Sequence, residues 1–136
     1  MAESIQATVL VEGVATGAAA VIAPLSFWGG VDPDSGAISD RFHDAHGVHL
    51  SGRIVVMSHS AGSSSSSAAL AELIRLEVGP AGIVLEQRDA IVVLGVAVAN
   101  DLYGRRCPVV LMPAATASIP DGATVAIAGG SITIGP

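Results

Sequence analysis

Apolar runs separated by glycine, proline and serine divide the chain into short predicted elements. Runs of four apolar residues, or of three beside a glycine, have the length of buried strands, and alternating stretches are typical of half-buried ones. A glycine-flanked segment at residues 13–17 predicts a turn, and Gly129-Gly130 predicts the turn of a terminal hairpin. The predicted strands are residues 7–12, 18–23, 54–57, 82–85, 109–112, 125–128 and 131–134.

Two segments have the spacing of α-helices. Leu70, Leu73 and Ile74 fall on one face of a helix predicted from about residue 65 to 77, which Gly79-Pro80 ends. Residues 90–102 predict a second helix, with Asp89 as its N-cap and Gly104 just past its end. This second helix is apolar nearly all round, so we expect it to be buried on several sides.

Strands that alternate with helices predict a compact α/β fold of six or seven short strands and two main helices. The length of 136 residues is that of one domain, residues 1–136, with a sizeable core. Residues 24–52 are rich in glycine, aspartate and histidine and are predicted to be mostly irregular.

The composition predicts a surface that binds another protein. Charged residues make up only 13% of the chain, no lysine is present, and the mean hydropathy is +0.64. So few charges leave apolar surface uncovered, and we expect an apolar patch to face a partner. The net charge of −6, with no basic stripe, argues against nucleic acid as that partner.

We expect this chain neither to span a membrane nor to hold a metal cluster by itself. The longest apolar run, residues 90–99, is far shorter than the roughly 18 residues of a membrane span. The first basic residue is Arg41, which argues against a signal peptide and leaves a cytoplasmic location as the expectation. The single cysteine, Cys107, excludes an internal disulfide and is expected to be a small buried hydrophobe.

The most informative motif is Gly62 followed by five consecutive serines, between a predicted strand and a predicted helix. Free N–H groups and the helix dipole at such a turn favour an anion or a developing oxyanion. The alternative is a serine N-cap that follows a flexible loop. A hydrolase elbow needs a glycine two residues after the nucleophilic serine, and none is present here. His59, just before the serines, is placed to touch a ligand.

Two further motifs have a structural and a chemical interpretation. His43, His46 and His49 are regularly spaced, but no carboxylate or cysteine pattern completes a metal site, so none is predicted. Trp28 is followed by two glycines and then Asp32. This block either anchors the core before a tight turn or forms a pocket wall where backbone approaches a small ligand.

Taken together, several blocks resemble the small subunit, or swivel domain, of the aconitase X family over roughly residues 9–113. The blocks are residues 26–33 (SFWGGVDP), Gly36, Asp40, His43, residues 62–65 (GSSS), residues 102–105 (LYGR) and residues 108–110 (PVV). The resemblance implies a swivelling β/β/α domain that closes over a larger subunit, as a heterodimer or higher assembly. That large subunit would carry iron or an iron–sulfur cluster, whereas this chain would bind no cofactor alone.

The resemblance also implies dehydration of a small hydroxy carboxylate. Family activities are dehydration of cis-3-hydroxy-L-proline, favoured here because the serine turn has no lysine, and of mevalonate 5-phosphate. The first serine after the glycine would be catalytic, which makes Ser63 the proton-abstracting base. The residues implied in substrate binding are Gly62, Ser64, Ser65, Trp28, Gly29, Gly30 and His59.

The chain departs from the family pattern at two positions, and two other functions remain open. Ala61 stands where relatives often have arginine, and Asp44 follows the histidine where proline is usual. One rival is a phosphohistidine swivel domain, for which Ser58-His59-Ser60 is the nearest sequence. The other is a non-catalytic lid or assembly subunit whose serine turn only binds the substrate carboxylate.

Overall fold

The fold of residues 3–136, described here from a computed structural model, is an eight-stranded sheet that curls into a nearly closed barrel. The strand order is β1-β8-β7-β3-β4-β5-β6-β2, in which β3 to β6 are parallel and the remaining pairs are antiparallel. The strands are β1 Glu3–Gln6, β2 Thr8–Val11, β3 Val14–Val21, β4 Ile54–Met57, β5 Gly82–Leu85, β6 Val109–Leu111, β7 Thr124–Ala128 and β8 Ser131–Ile134. The helical segments are α1 Phe27–Gly30, α2 Ser65–Arg75, α3 Ala90–Tyr103 and α4 Ala115–Ser118, of which α1 is one irregular turn because Trp28 and Gly29 have non-helical backbone angles.

One N-terminal segment pairs with both edges of the sheet. Residues of β1 pair with β8, and after Ala7 the residues of β2 pair with β6. The predicted strand at residues 7–12 corresponds to β2 alone; β1 was not predicted, and the partners of these two strands lie at opposite edges. Continuous backbone across Ala7 thus brings the two edges of the sheet together.

The parallel strands separate two apolar cores. In β4, Ile54 and Val56 point into the barrel, whereas Val55 and Met57 point outward to α2 and α3. All four side chains are buried, because a parallel strand that is covered on both faces needs apolar residues at every position. The predicted strands at residues 54–57 and 82–85 are confirmed for this reason.

The predicted turn at residues 13–17 is wrong, because β3 begins at Val14 and pairs with β7 through this segment. Gly17 serves another purpose inside the strand. A Cβ atom at Gly17 would lie only 2.2 Å from the carbonyl oxygen of Gly52. The glycine therefore marks a close approach of two backbones and not a chain reversal.

The two predicted helices are confirmed, with changes at their ends and on one face. α2 ends at Arg75 rather than at residue 77, since Glu77 has a φ of +62°. α3 is capped by Asp89 and by Gly104 as predicted. The expectation that α3 is buried on several sides is wrong: only one face packs on the core, and Leu94 and Leu102 are exposed. Within residues 3–136 no helix is long and apolar enough to cross a membrane.

Candidate functional site

The serine turn lies at the carboxyl edge of the parallel strands, directly after β4. In α/β sheets this edge is where ligands bind. The loop that follows β5 meets it there, because the N–H groups of Glu86 and Gln87 donate to the carbonyl of Ser58 at 3.1 and 3.0 Å. The predicted strand-to-helix position of the serines is confirmed.

The five serines divide into an exposed group and a buried group. Ser63, Ser64 and Ser65 are exposed, and their hydroxyls make no hydrogen bond to any described residue. Ser66 and Ser67 are buried: the Ser67 hydroxyl donates to the Ile91 carbonyl at 2.7 Å. The buried pair is therefore structural, and the first three hydroxyls are accessible to a ligand.

The N-terminus of α2 is not capped by a serine hydroxyl. Ser64, the residue before the helix, has helical backbone angles, and its side chain makes no capping bond. The carbonyls of Ser63 and Ser64 instead accept from the N–H groups of Ser66 and Ser67 at 2.9 and 3.1 Å. The N–H groups of Ser64 and Ser65 donate to no acceptor within the described chain. They remain available to an anion, which the helix dipole also favours.

Gly62 is required by the conformation of the turn. Its φ is +102°, and a Cβ atom there would lie 2.6 Å from Ser26 Oγ and 2.8 Å from Ser66 Oγ. Ser26 Oγ donates to the Trp28 carbonyl at 2.9 Å, so Ser66 supplies the proton of its 3.3 Å contact with Ser26. These two hydroxyls join the serine turn to residues 25–32, the aromatic–glycine block that contains Phe27, Trp28 and both glycines, a link that the sequence did not indicate.

The aromatic–glycine block and α2 form the walls of an apolar groove of about 610 Å³. Trp28 is 67% exposed, Phe27 is buried, and Gly29 has a φ of +80° with open space around it. The block thus combines the two predicted interpretations: Phe27 anchors the core, and Trp28 lines a groove. The groove is lined by Phe27, Trp28, Gly29, Val31, Pro33, Ser65, Ala68, Ala69, Glu72 and Leu73.

Only part of the predicted site converges on this groove. Trp28, Gly29 and Ser65 line it, whereas Gly62, Ser63 and Ser64 do not. Gly30, also outside the lining, is buried, and its carbonyl accepts from the N–H of Ser39 at 2.9 Å.

His59 is exposed and lies outside the groove lining. Its Nδ1 is 2.6 Å from Ser58 Oγ. His59 also lies six residues before the first residue of α2. This position differs from the helix start that a phosphohistidine site requires.

The histidine-rich loop is held by hydrogen bonds to the backbone. His43 Nδ1 accepts from the N–H of Ala45 at 3.0 Å, so its Nε2 carries the proton that binds the Ala23 carbonyl at 2.9 Å. His49 Nδ1 lies 3.3 Å from the Ser35 carbonyl. Across residues 3–136, no three His, Cys, Asp or Glu side chains are grouped as metal ligands. Burial raises the pKa of Cys107 to about 12, so its thiol is a poor nucleophile at neutral pH.

The architecture is that of an α/β swivel domain. Its sheet is curled and has parallel central strands, two helices cover the outer face, and a polar turn lies at the carboxyl edge. The family model of the aconitase X swivel domain matches residues 4–135, and the chain belongs to that family. The crystal structure of aconitase X from Thermococcus kodakaraensis, in its holo form, superposes with a TM-score of 0.84 at 26% identity. That match covers 97% of this chain and 98% of the other, which confirms the predicted fold class.

Two kinds of named relative share part of the sequence. A cis-3-hydroxy-L-proline dehydratase from Pseudomonas aeruginosa is 46% identical over 85 residues, which are 62% of this chain and 15% of that protein. The phosphomevalonate dehydratase small subunit of Pyrococcus furiosus is 38% identical over 92 residues, 67% of this chain and 69% of that one. The chain thus matches only a small part of the length of the first relative.

Proposed function

We propose that this chain is the swivel subunit of a hydro-lyase that dehydrates a small hydroxy carboxylate, and that it is active only with a large subunit. The observation that carries the proposal is the exposed Ser63–Ser65 turn at the open N-terminus of α2, in a chain of the aconitase X swivel family. The names of both kinds of relative, which are dehydratases, support the reaction class.

In this proposal Ser63 is the base that removes the proton next to the substrate carboxylate. A serine hydroxyl is a weak base, so its pKa must be lowered by hydrogen bonds and positive charge. The unpaired N–H groups of Ser64 and Ser65 and the N-terminus of α2 supply part of that stabilisation. The same N–H groups can hold the substrate carboxylate. Ser63 Oγ, as the alkoxide, accepts the proton next to that carboxylate; the electron pair of the broken C–H bond forms the new C=C bond, and the neighbouring hydroxyl leaves and is protonated to water.

A large subunit completes the proposed site. The groove beside Trp28 and the exposed Leu94 and Leu102 of α3 are apolar surface that a partner can cover. Iron or an iron–sulfur cluster is expected on that partner. The described part of this chain offers no donor set that fits such a group, and its residues act on the substrate carboxylate and the proton beside it.

Cis-3-hydroxy-L-proline is the favoured substrate, and mevalonate 5-phosphate is the second candidate. His59 is the only ionisable side chain in residues 58–67, and a phosphate is normally held by arginine or lysine. The second candidate is supported by the relative from P. furiosus, most of whose length this chain matches. Assay of the assembled enzyme with both compounds distinguishes the two.

The Ser63→Ala variant tests the assignment of the base. The Ser63 hydroxyl makes no hydrogen bond to a described residue, so we expect the free energy of unfolding to change by less than about 0.5 kcal/mol. Turnover is expected to fall by about two to four powers of ten, the scale of a lost acid–base group. The measurement is turnover, together with exchange of the substrate α-hydrogen in deuterated solvent.

Ser64→Ala is the matched control, since it keeps the Ser64 N–H and removes a neighbouring exposed hydroxyl that the family resemblance assigns to substrate binding and not to proton transfer. It is expected to raise KM more than it lowers turnover. Wild-type exchange in the Ser63→Ala complex, with its metal content verified, would show that Ser63 is not the base. The serine turn would then only bind the carboxylate, as in a non-catalytic lid. Iron binding and turnover by the isolated chain would contradict the need for a partner.

A further inference from the structure

The loop that leads to Ser63 is anchored from two sides. On one side, the N–H of Ala61 donates to the Leu25 carbonyl at 3.0 Å. On the other side, Ser60 is nine-tenths buried and binds the loop that follows β5. The three exposed serines therefore begin directly after a segment whose position is fixed by its neighbours.

The anchor on the β5 side is one carboxylate. Asp89 Oδ2 accepts from the N–H of Ser60 at 2.6 Å and from its hydroxyl at 2.7 Å. Asp89 Oδ1 accepts from the N–H groups of Ile91 and Val92 at 3.0 and 3.2 Å. A single side chain therefore caps α3 and at the same time holds the turn that begins three residues before Ser63.

The four hydrogen bonds to Asp89 are stronger than those that an uncharged N-cap residue would make. Bonds to an ionised carboxylate are roughly twice as strong as neutral ones. Burial raises the pKa of Asp89, but the bonds from Ser60 and from the α3 amides outweigh it and hold the pKa below its ordinary value. The carboxylate is therefore charged at neutral pH and accepts all four bonds.

We propose that Asp89 is a positioning residue, which sets the place of Ser63 through Ser60. The inference rests on the proposed role of Ser63 as the base. A base that is displaced by about 1 Å loses on the order of a hundredfold in rate, even where substrate binding is retained. Asp89 then acts on turnover without touching the substrate.

The Asp89→Asn variant separates the two contacts of the side chain. Asparagine is as good an N-cap as aspartate, so its oxygen can still cap α3. Its NH₂ group can donate to the Ser60 hydroxyl but cannot accept from the Ser60 N–H, so the backbone bond that anchors the turn is lost. In the assembled enzyme we expect kcat to fall about tenfold to a hundredfold, with KM within about twofold of wild type.

Ser60→Ala and a control variant complete the test. Ser60→Ala removes one bond and keeps the backbone N–H, so its loss in kcat should be smaller, and the double variant should be no worse than Asp89→Asn alone. Glu86→Gln is the control: its side chain binds Thr116, where Oε2 accepts from the N–H and hydroxyl at 2.8 and 2.7 Å, and only its backbone N–H, which the variant keeps, contacts Ser58. Its kcat should stay near that of wild type.

The outcomes distinguish this inference from the proposed function. An inactive Ser63→Ala enzyme together with an unchanged kcat in Asp89→Asn overturns the positioning role and leaves Ser63 as the base. Full activity of Ser63→Ala overturns both. Equal losses in Asp89→Asn and Glu86→Gln, or additive losses in the double variant, also overturn the positioning role. If Asp89→Asn fails to assemble, the kcat and KM of Ser60→Ala decide the question alone.

Discussion

Gly62 shows how a single residue limits the shape of the serine turn. A side chain there would need a φ of +102°, and its Cβ would contact the hydroxyls of Ser26 and Ser66. For residues with a side chain, the left-handed region costs about 1–2 kcal/mol of conformational energy, before any close contact is counted. The glycine and the two hydroxyls therefore form one packed unit behind the exposed serines.

The Gly62→Ala variant is expected to lower the free energy of unfolding by about 2–4 kcal/mol, because backbone strain and close contact add. Gly122→Ala is the matched control, since Gly122 has a φ of +84° but open space around it. It should cost only the strain, about 1–2 kcal/mol. Urea unfolding of both variants gives the comparison. An equal decrease in both variants would show that the Ser26 and Ser66 hydroxyls can move away from the new Cβ atom without a cost in free energy.

At the scale of elements, α2 and α3 touch at a glycine. A Cβ atom at Gly95 would lie 2.7 Å from the Ser67 carbonyl oxygen and 3.2 Å from Leu70 Cβ. The missing side chain lets α3 approach the first turn of α2 closely, where the Ser67 hydroxyl binds the Ile91 carbonyl. The position of the serine turn thus depends on the packing of both helices.

Gly95→Val is expected to destabilise the fold by about 1–3 kcal/mol, the usual range for overpacking. Helix propensity alone predicts the opposite sign, since valine is a better helix former than glycine. Ala97→Val, on the half-exposed face of α3, is the control and should cost about 0.5 kcal/mol. Thermal unfolding of both variants tests this. A Gly95→Val protein as stable as wild type would show that the helices can separate without cost.

The sequence predicted the elements better than their pairing. Residues 54–57 and 82–85 are short apolar runs whose burial follows from local composition, and both are strands. Pairing of β1 with β8 joins residues about 130 apart, and no local pattern carries that information. Gly17 was misinterpreted for the same reason, because its neighbour Gly52 is distant in sequence.

The same distinction holds for the candidate site. The serine turn was predicted from adjacent residues, a buried strand followed by Gly62 and a helical pattern. Asp89 was predicted only as the N-cap of α3, whereas its bonds to Ser60 depend on the parallel pairing of β4 with β5. The side chains that position the turn could therefore be found only in the folded chain.

For the whole molecule, carboxylates with a lowered pKa, Glu86 and Asp89 among them, give stability a pH dependence on the acid side. Bonds from Thr116 lower the pKa of Glu86, while at Asp89 burial raises the pKa but the bonds from Ser60 and the α3 amides lower it more. A folded-state pKa below the unfolded value contributes stability that is complete above the unfolded pKa. That stability is lost as the pH falls through the folded pKa, so it declines below about pH 4.5.

Cys107 gives the opposite dependence on the alkaline side. Its pKa is 9.0 when unperturbed and about 12 in the fold, because burial disfavours the thiolate. The contribution of Cys107 to the free energy of unfolding therefore keeps its full value below the unfolded pKa of 9.0, and it decreases as the pH rises towards the folded pKa of about 12.

We therefore expect the free energy of unfolding to be nearly constant between about pH 5 and 9 and to fall on both sides. Guanidinium unfolding across this range measures it. Asp89→Asn should flatten the acid limb, and Cys107→Ala should flatten the alkaline limb. If the loss of stability at acid pH is unchanged in Asp89→Asn, other carboxyl groups cause that loss.

The N-terminal segment that joins both edges of the sheet also determines when the barrel can close during synthesis. The ribosome delivers β1 and β2 first, yet their partners β8 and β6 come near the end of the chain. Until residues 131–134 have emerged, β1 has no partner strand, and β7 lacks its second neighbour. Pairings of such long sequence separation are slow and leave strand edges exposed meanwhile. The nascent chain must therefore keep its first strands from pairing wrongly until the last ones are made.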